Sequence, residues 1–578
     1  MENVKIAVIG LGPAGLTALK TLLEEHFDVV AFERRGNVGG VWAYSANPAF
    51  TTVLPDTVSN ISRFVSGFSD FPFPRDNPPY FTSVKAAEYL EAYARHFNLH
   101  DRCRFNTTVR KILRNADLSK WEVYITNDSG DDVLTFDKVV LAHGSEGLPV
   151  NTPMPNRQRF EGIVIHAQAY RDHTPVVNKR VLVVGNGNTA CELSVGPAQH
   201  AAKVYQAYRR GRMMFSRHGD DGTPLDGHFT WPGLRLKYFL DNLIPWLTWP
   251  FADRYMIKRM IKQRLREDWH LLPCASVAQV HPAVQEDYIP ALRREEIIPL
   301  QAFRDFSDES HVLLCGGNIV EVDAVIFCSG YEMDFSIIPE LDMNGAVGVP
   351  LKTAGEYSKS RSALSGSGTR LPNLPRLYKM IFPPKWASSI AVLSYQAPQE
   401  SVWCVSELAA MAVAQIWAAE TFKESSSTTP QANIKVQPAV LPSEKAMNAE
   451  VDAYHAWFRK AWEENSSVRN GYVAHAHDFY RFLHTSAGTG LYDHIDHMFS
   501  GRGWRLWWND RELWTWIAKG PMNSYSWRVF NTNPAGIPGC GRKVWEGGRQ
   551  AMKDAYESWE EHKRQVRDSG ASLETCSD

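Results

Sequence analysis

The chain has few cysteines, and their spacing gives no sign of pairing. Its 578 residues include eight cysteines, and no two of them have the spacing of a CxxC motif. A scattered set of this kind argues against a structural zinc site, a redox-active cysteine pair and the disulfide framework of a secreted protein. The composition predicts a reducing compartment, and we expect a cytoplasmic protein.

A net charge of one sign is also lacking. Lys and Arg number 62 against 64 Asp and Glu, so the formal net charge is -2. Proteins that bind nucleic acid need a clear excess of basic residues to contact the phosphates. We therefore expect no nucleic-acid partner.

Leader and membrane-spanning signals are missing too. MENVK runs directly into the strand-like IAVIG, without the basic and apolar regions of a signal peptide. We take LKYFLDNLIPWLTWPFADRYM as the most apolar long stretch, and it is interrupted by Lys237, Asp241, Pro245, Pro250 and Asp253. We expect a buried helix pair here, with peripheral contact to a membrane as the alternative, and no integral membrane span.

The sequence does contain a repeated alternation of strands and helices. VKIAVIG, the helical AGLTALKTLLEEH, FDVVAFE and KVVLAHG follow one another, and the pattern restarts at KRVLVVG and ends with DAVIFCSGYEMDF. This alternation is typical of α/β folds with parallel sheets.

The first glycine-rich loop, VIGLGPAG, follows a strand and opens a helix. Gly10 permits the tight turn, Gly12 lets the backbone approach a pyrophosphate, and Gly15 allows close contact between helix and strand. Glu33 ends the next strand, where its carboxylate can accept hydrogen bonds from a ribose diol. A carboxylate repels a ribose 2′-phosphate, so this loop is predicted to bind FAD or NAD.

The second loop, GNGNTA, has Gly185, Gly187 and Ala190 after the strand RVLVVG. The strand that follows ends in YRRGR instead of an acid, and Arg209 or Arg210 can pair with a 2′-phosphate. This pattern predicts NADPH, and the alternative is that the two arginines are a solvated surface pair. Two dinucleotide sites in one chain imply hydride transfer from NADPH to a bound flavin.

These features predict an α/β protein with two Rossmann-like dinucleotide-binding domains, in which the NADP domain is inserted in the FAD domain. A helical insertion and a Trp-rich C-terminal segment complete it. The predicted segments are 1–172 for the first part of the FAD domain, 173–328 for the NADP domain with its helical insertion at 212–300, 329–422 for the second part of the FAD domain, 423–444 for a flexible linker, and 445–578 for a C-terminal helical segment.

The stretch FEGIVIHAQAY carries the FxGxxxHxxxY pattern of flavin-containing monooxygenases, at Phe160, Gly162, His166 and Tyr170. NVGGVW, SNISRFVSGFSDFPFP, KRVLVVGNGNTA, IFCSGY, GPMNSYSWRVF and VWEGGRQA also resemble that family's segments, in the same order. The resemblance covers nearly the whole chain except the linker and the C-terminal end. The chain is therefore identified as a member of the flavin-containing monooxygenase family.

The resemblance implies a monooxygenase that depends on FAD and NADPH. Such an enzyme forms a C4a-hydroperoxyflavin from O2 and inserts one oxygen atom into a soft N or S of a small organic substrate, as in N,N-dimethylaniline monooxygenase activity. The alternatives are Baeyer–Villiger oxygenation of a ketone and hydroxylation in a biosynthetic pathway. Tyr170, where Baeyer–Villiger enzymes usually carry Trp, favours oxygenation of a heteroatom. The sequence does not determine the oligomeric state, and a homodimer is one option.

The resemblance also implies which residues form the site. Asn60 is expected beside the flavin ring, where its amide can hydrogen-bond the reacting oxygen without offering an acidic proton. The expected FAD contacts are Gly10, Gly12, Pro13, Ala14, Gly15, Glu33, Gly40, Val41, Trp42, Ser59, Asn60 and Gln396. The expected NADP contacts are Gly185, Gly187, Asn188, Thr189, Ala190, Arg209 and Arg210.

His166 and Tyr170 are expected to link the two domains near the NADP site, and not to carry protons. Two histidine-rich stretches, HAHDF and YDHIDH, have the spacing of metal ligands, at His475, His477, His494, Asp496 and His497. Their aromatic surroundings favour packing and capping, so no metal site is predicted.

Two further functions share the two-loop architecture. A pyridine nucleotide–disulfide reductase also needs a cysteine pair beside the flavin, which the spacing does not offer. A catalytically silent nucleotide-binding scaffold would bind the nucleotides without consuming NADPH.

Overall fold

The computed structural model describes residues 3–150, 152–342, 348–349, 374–425, 439–465, 467–468, 471, 473–495 and 501–569. Numbered along the chain, the strands are β1 (Lys5–Ile9), β2 (Asp28–Phe32), β3 (Cys103–Arg104), β4 (Thr108–Arg114), β5 (Trp121–Asn127), β6 (Gly130–Phe136), β7 (Lys138–Leu141), β8 (Leu148–Pro149), β9 (Ile163–His166), β10 (Arg180–Val184), β11 (Lys203–Tyr208), β12 (Met214–Phe215), β13 (Ala283–Val284), β14 (Ile297–Gln301), β15 (Phe303–Phe306), β16 (His311–Leu314), β17 (Ile319–Glu321), β18 (Ala324–Phe327), β19 (Tyr331–Glu332), β20 (Gly348–Val349), β21 (Leu374–Pro375) and β22 (Ile390–Val392). The α-helices are α1 (Pro13–Glu24), α2 (Ser83–His96), α3 (Asn188–Ala198), α4 (Trp231–Leu243), α5 (Pro245–Lys262), α6 (Tyr288–Arg293), α7 (Pro339–Asp342), α8 (Val402–Ser425), α9 (Glu444–Glu464), α10 (Ala476–Ala487), α11 (Leu491–Ile495), α12 (Gly501–Asn509), α13 (Arg511–Lys519) and α14 (Gly548–Asp568).

The first large sheet consists of five parallel strands in the order β22-β7-β1-β2-β3. The strands β1, β7 and β22 are apolar and almost entirely buried, as expected for a parallel sheet covered on both faces. Because β22 pairs with β7 from far along the chain, the chain leaves this unit and later returns to it. The predicted α/β class and the insertion of one dinucleotide-binding unit within the other are confirmed.

The second large sheet is also parallel, in the order β14-β11-β10-β18-β9. Its edge strand β9 is the IVIH of the FEGIVIHAQAY stretch, and it pairs with β18. The boundary at residue 172 had assigned that strand to the first domain. The pairing partner of a strand is not a local property of the sequence, so the sequence pattern does not show which sheet this strand joins.

The inserted stretch 212–300 holds α4, α5, α6 and a short parallel pair formed by β12 and β13. Its end differs from the prediction, because β14 begins at Ile297 and belongs to the second large sheet. Helix α4 packs against α10 and α13 of the C-terminal segment. The insertion and the C-terminal segment therefore form one wall beside the two sheets.

The choice of the most apolar stretch was wrong. In the part of the chain that the structure describes, one helix is long and apolar enough to cross a membrane, at Val402–Lys423 in α8, and its best window has a mean hydropathy of 1.5. That window is 94% buried inside the protein, where α8 packs against α1 and α10. Packing in the core therefore accounts for the hydrophobicity of this helix, and the helix is only weak evidence for a membrane span.

The C-terminal segment is tied to the first unit by buried charges. Asp70 forms ion pairs with Lys20 of α1 and with Arg528, whose Nη2 lies 3.0 Å from Asp70 Oδ2, and all three side chains are buried. Removing one member of such a group leaves an uncompensated charge, so the group holds the C-terminal segment in place. The central part of the predicted linker, 426–438, lies outside the described residues.

Candidate active site

Both glycine loops open onto one cavity of about 1630 Å³. Its wall includes Gly10 and Gly12 from the first loop and Gly187 and Thr189 from the second. In open parallel sheets, ligands bind outside the carboxyl ends of the strands, which is where both loops lie. The two predicted nucleotide sites therefore share a single cavity.

Close packing explains why two positions of the first loop are occupied by glycine. Gly10 has a φ of +94°, and a Cβ added there would lie 2.7 Å from the carbonyl oxygen of Ala142. A Cβ on Gly15 would lie 1.8 Å from the carbonyl oxygen of Gly10, so the helix touches the strand end directly. Pro13 and Ala14 begin α1 and line the cavity, which directs the amino end of α1 towards the bound phosphates predicted here.

Glu33 follows β2, is buried and lines the cavity. Its Oε2 accepts a hydrogen bond from the Leu11 amide at 2.8 Å, and its Oε1 accepts one from the Arg35 amide at 3.0 Å. Each carboxylate oxygen retains a further lone pair. Glu33 is thus held against the first loop in an orientation that leaves it able to accept from a ribose diol.

Arg35 supports the cofactor loop and was not singled out from the sequence. Its buried guanidinium donates hydrogen bonds to the carbonyl oxygens of Gly40, Ala43 and Thr51, at 2.5 to 2.8 Å. The short helical turn Gly40–Trp42, which contains Val41, is fixed by these bonds and lines the cavity.

Gln396 provides a test of whether the cavity fits FAD. It is buried and lines the cavity, and its Nε2 donates to the carbonyl oxygen of Met380 at 3.1 Å, which fixes the amide orientation. Its Oε1 is buried and has no hydrogen-bond partner among the described residues. A buried acceptor needs a donor, and the flavin ring carries an N–H group of that kind. Together with Glu33 and the first glycine loop, Gln396 fits FAD.

The second loop repeats the construction of the first. Gly185 has a φ of +134°, and a Cβ there would lie 2.7 Å from the carbonyl oxygen of Cys328. Gly187 caps α3, and Asn188, Thr189 and Ala190 begin that helix and line the cavity. The Asn188 side chain is already engaged, because its Oδ1 accepts from the Val284 amide at 2.8 Å.

The predicted arginine pair lies outside the residues that line the cavity. Arg209 and Arg210 follow β11 and are exposed, and Arg210 Nη1 donates to Asn465 Oδ1 at 3.0 Å. Arg212 does line the cavity, and its Nη1 lies 3.7 Å from the position of a Cβ on Gly187. The sequence contains Arg212 in the same YRRGR stretch, but the strand end alone did not show which arginine turns inward.

Asn60 lines the cavity, and its amide orientation is set by Arg217. Arg217 Nη2 lies 3.2 Å from Asn60 Oδ1, and Arg217 also donates to the carbonyl oxygens of Ser59 (3.0 Å) and Val58 (3.3 Å). A guanidinium only donates, so the amide oxygen must face it and Nδ2 must point away. Asn60 Nδ2 has no acceptor among the described residues. Ser59 is buried against Phe81 and does not belong to the lining residues.

Asp226 adds an ionisable group that the sequence did not reveal. It lines the cavity, is buried, and accepts a hydrogen bond from the Ser62 amide at 2.6 Å. Burial raises the pKa of Asp226 to about 6, against the opposing effect of its hydrogen bonds with Ser62. Its carboxylate anchors the segment that carries Asn60.

The FEGIVIHAQAY stretch and Arg171, which follows it, connect the two units through polar side chains. Gln168 Nε2 donates to Thr51 Oγ1 at 2.8 Å, and Arg171 Nη2 donates to the carbonyl oxygen of Phe50 at 2.7 Å. Burial lowers the pKa of His166, so its imidazole is neutral at pH 7, and the Tyr170 hydroxyl lies 2.7 Å from His173 Nδ1. These contacts favour the linking role over proton transfer.

No group of three or more possible metal ligands occurs within the described residues. His475 lines the cavity, and the His494 ring stacks on Phe530 with centroids 3.9 Å apart. His477 packs edge-on against Phe239. Asp496 and His497 lie outside the described residues.

Comparison with known protein sequences places these features in a family. A family model described as flavin-binding monooxygenase-like matches residues 3–344. Monooxygenase aurF of Gibberella zeae is 29% identical over 557 residues, covering 96% of this chain and 97% of that protein. The N-oxide-forming dimethylaniline monooxygenase 2 of Oryctolagus cuniculus is 26% identical, covering 95% of this chain and 91% of that protein.

Solved structures show the same fold. The S-allyl-L-cysteine S-oxygenase from Allium sativum superposes with a TM-score of 0.56 at 17% identity, covering 98% of this chain and 94% of that chain. Cyclohexanone monooxygenase from Rhodococcus sp. Phi1 bound to NADP+ also has a TM-score of 0.56 at 17% identity, covering 84% of this chain and 97% of that chain.

Replacing both Arg209 and Arg210 by alanine should reduce the preference for NADPH over NADH. Hydrogen bonds to a charged group contribute about 1.5–3 kcal/mol, so the ratio of kcat/KM values should fall by roughly 10- to 100-fold. Steady-state kinetics with both nucleotides measures this ratio. Arg304→Ala is the matched control, because Arg304 is an exposed arginine on β15 of the same unit. An unchanged preference for NADPH would contradict binding of the 2′-phosphate by Arg209 and Arg210, and would leave Arg212 as the next arginine to test.

Proposed function

Because the chain belongs to the flavin-binding monooxygenase-like family, we propose that it oxygenates a soft nitrogen or sulfur atom of a small organic substrate in the shared cavity. It is a monooxygenase with FAD and NADPH as cofactors, and bound FAD, reduced by NADPH, supplies the activation of O2. The observation that carries the proposal is the orientation of Asn60, whose amide nitrogen is free to donate into a cavity lined by both glycine loops.

The residues of the chain then have simple tasks. Asn60 Nδ2 donates a hydrogen bond to the reacting oxygen, and an amide does so without supplying an acidic proton. Arg217 keeps that donor pointed into the cavity. The apolar part of the wall excludes water, which is all that a nucleophilic nitrogen or sulfur atom further requires.

Oxygenation of a ketone is the second candidate function. The guanidinium of Arg217 lies beside Asn60, and a positive charge there would stabilise an anionic oxygen. Hydroxylation in a biosynthetic pathway is the third, and the three reactions give different products from the same cofactors.

Turnover with a defined set of substrates tests the proposal. Incubated with FAD, NADPH and isotopically labelled O2, the purified protein should convert N,N-dimethylaniline to its N-oxide and methyl phenyl sulfide to its sulfoxide, with one labelled oxygen in each product. Mass spectrometry measures the label. Conversion of cyclohexanone to a lactone, without N- or S-oxide, would establish the ketone reaction instead. NADPH consumption that yields only hydrogen peroxide with all three substrates would count against a monooxygenase of these classes.

Replacing Arg217 by methionine should reduce the yield of oxygenated product per NADPH. Removal of one oriented donor typically lowers turnover by about 10²- to 10³-fold. In this variant the Asn60 amide is still present but can rotate, so we expect a smaller decrease, of at least about tenfold. The readout is the ratio of product to hydrogen peroxide, together with the rate at which NADPH reduces the flavin, which should change little.

A double-mutant cycle separates this effect from general damage. Asn60→Leu combined with Arg217→Met should be no worse than Asn60→Leu alone, because both changes remove the same donor. Arg259→Met is the control, since Arg259 lines the cavity from α5 but donates to His218 and not to residues 58–60. Additive losses in the double variant would refute the positioning role.

We further propose peripheral contact of this chain with an anionic membrane surface through α4 and α5. Eight large apolar side chains are exposed on these helices: Leu236, Phe239, Leu243, Trp246, Leu247, Phe251, Tyr255 and Ile261. Farther along α5, the basic residues Arg254, Lys258 and Lys262 are also exposed. Aromatic and basic residues on one outward face are the combination that binds an anionic lipid interface. The cytoplasmic location and the homodimer stay predictions.

Vesicle binding tests the membrane contact. The holoenzyme should float with vesicles that contain phosphatidylserine and bind weakly to pure phosphatidylcholine, because the basic residues need anionic headgroups. Trp246→Ser combined with Phe251→Ser should abolish flotation, whereas Leu118→Ser, an exposed apolar position between β4 and β5, should not. Absence of flotation by the unaltered protein would refute the contact. A dimer in solution that dissociates only in the double variant would show that the surface binds a second copy instead.

A further inference from the structure

One corner of the cavity is polar and lies where α4, α10 and the segment before α8 meet. Tyr238, Tyr480 and Glu400 line the cavity here. The Tyr238 hydroxyl donates to Glu400 Oε1 at 2.5 Å, and the Tyr238 and Tyr480 rings stack with centroids 5.4 Å apart and planes 17° apart. We call these three residues the Glu400 corner.

The Glu400 corner has unused capacity to bind a hydrogen-bond donor. The bond from Tyr238 is the one hydrogen bond of good geometry that the Glu400 carboxylate accepts from the described residues. The Tyr480 hydroxyl is buried and close to Glu400, but it has no hydrogen-bond partner of good geometry in the described part of the chain. The half-buried Glu400 carboxylate and the oxygen of the buried Tyr480 hydroxyl can therefore both accept hydrogen bonds from a ligand that carries N–H groups.

Charge selects the kind of donor. Lys237 is the cation that acts on Glu400, but its Nζ is paired with Asp241 Oδ2 at 2.7 Å, so it neutralises Glu400 only in part. The corner therefore has an excess negative charge whenever Glu400 is ionised. Burial raises the pKa of Glu400 to about 7, more than Tyr238, Tyr480 and Lys237 lower it. A bound cation that donates to the carboxylate would remove that penalty.

We propose that the Glu400 corner is a subsite for a protonated amine carried by the substrate. The ammonium group would donate to the Glu400 carboxylate and to the oxygen of the Tyr480 hydroxyl. This amine must be distinct from the oxygenated atom, because a protonated nitrogen has no lone pair to react. The inference rests on the proposed function only in taking this cavity as the substrate site, and it predicts a substrate with a basic amine at one end and a soft atom at the other.

Calorimetric titration of the oxidised holoenzyme without NADPH tests the subsite independently of any turnover. 2-Phenylethylamine should bind about tenfold more tightly than 2-phenylethanol, which has the same ring and a neutral donor. Glu400→Gln should remove this tenfold difference and leave the alcohol almost unaffected. Glu146→Gln is the matched control, because Glu146 also lines the cavity but lies in the loop after β7.

The pH dependence gives a second readout. Binding needs the ionised carboxylate, and a carboxyl with a pKa of about 7 is mostly protonated below that value, so amine affinity should rise between pH 6 and pH 8. The charged and titratable groups that face Glu400 are Tyr238 and Lys237 of α4, Cys404 of α8, Tyr480 of α10 and Tyr492 of α11. Burial raises the pKa of Cys404 and of each tyrosine, so these groups stay neutral over this range. Glu400→Gln should abolish the rise.

Three results would overturn the inference: no measurable binding of the amine, equal binding of amine and alcohol, or unchanged amine binding in Glu400→Gln. Retention of FAD and of the melting temperature checks that the variant is folded. Because no oxygenation takes place in the titration, failure of the proposed function would leave this result intact, and failure of the subsite would leave the oxygenation tests intact.

Discussion

The chemistry of the cavity depends on one guanidinium that the inserted unit extends to the first unit. Arg217 holds the carbonyl oxygens of Val58 and Ser59 and the amide oxygen of Asn60, and its own backbone amide is held by Glu286 Oε2 at 2.8 Å. The Asn60 amide, which we propose as the donor to the reacting oxygen, is therefore held in this orientation only when both units are docked. In the proposed mechanism, the geometry of the site thus depends on the packing of the two units.

The parts of the site that could be predicted from the sequence are those built from neighbouring residues. A turn that requires glycine and a charged residue at the end of the next strand are both local, and Gly10, Gly185 and Glu33 lie where their patterns indicated. Arg217 and Asn60 are separated by 157 residues, and no periodicity connects them. The same limit explains why the predicted boundary at residue 172 separates β9 from its partner strand β18. It also explains why the orphaned acceptor of Gln396 is visible only with Met380 in place.

Helix α8 shows a different limit of sequence reasoning. A helix that is covered on all sides carries no polar face, so its sequence lacks the 3.6-residue alternation that marks an amphipathic helix. The run of small alanines that includes Ala409 and Ala412 gives a weaker visual signal in the sequence than the large tryptophans of α5. It nevertheless has the higher mean hydropathy of the two segments. Hydropathy shows that a helix avoids water, but it does not show whether protein or lipid surrounds the helix. Here α1 and α10 surround it, and both lie outside the local sequence.

The distribution of charge divides the cavity by the kind of group that each part can bind. In each unit a backbone hydrogen bond joins the glycine loop to the end of the next strand. Counted along the chain from that bond, Arg34 and Arg209 occupy equivalent positions in the two units. Arg34 lines the cavity and Arg209 does not, while Arg212 and Arg217 supply positive charge from the second unit. Phosphates are attracted to this arginine-lined part, and an anionic substrate would compete for it with the cofactors. A cationic group would meet the opposite field beside Glu400, so the basic substrate that we propose would not compete with the phosphates of the cofactors for the same part of the cavity.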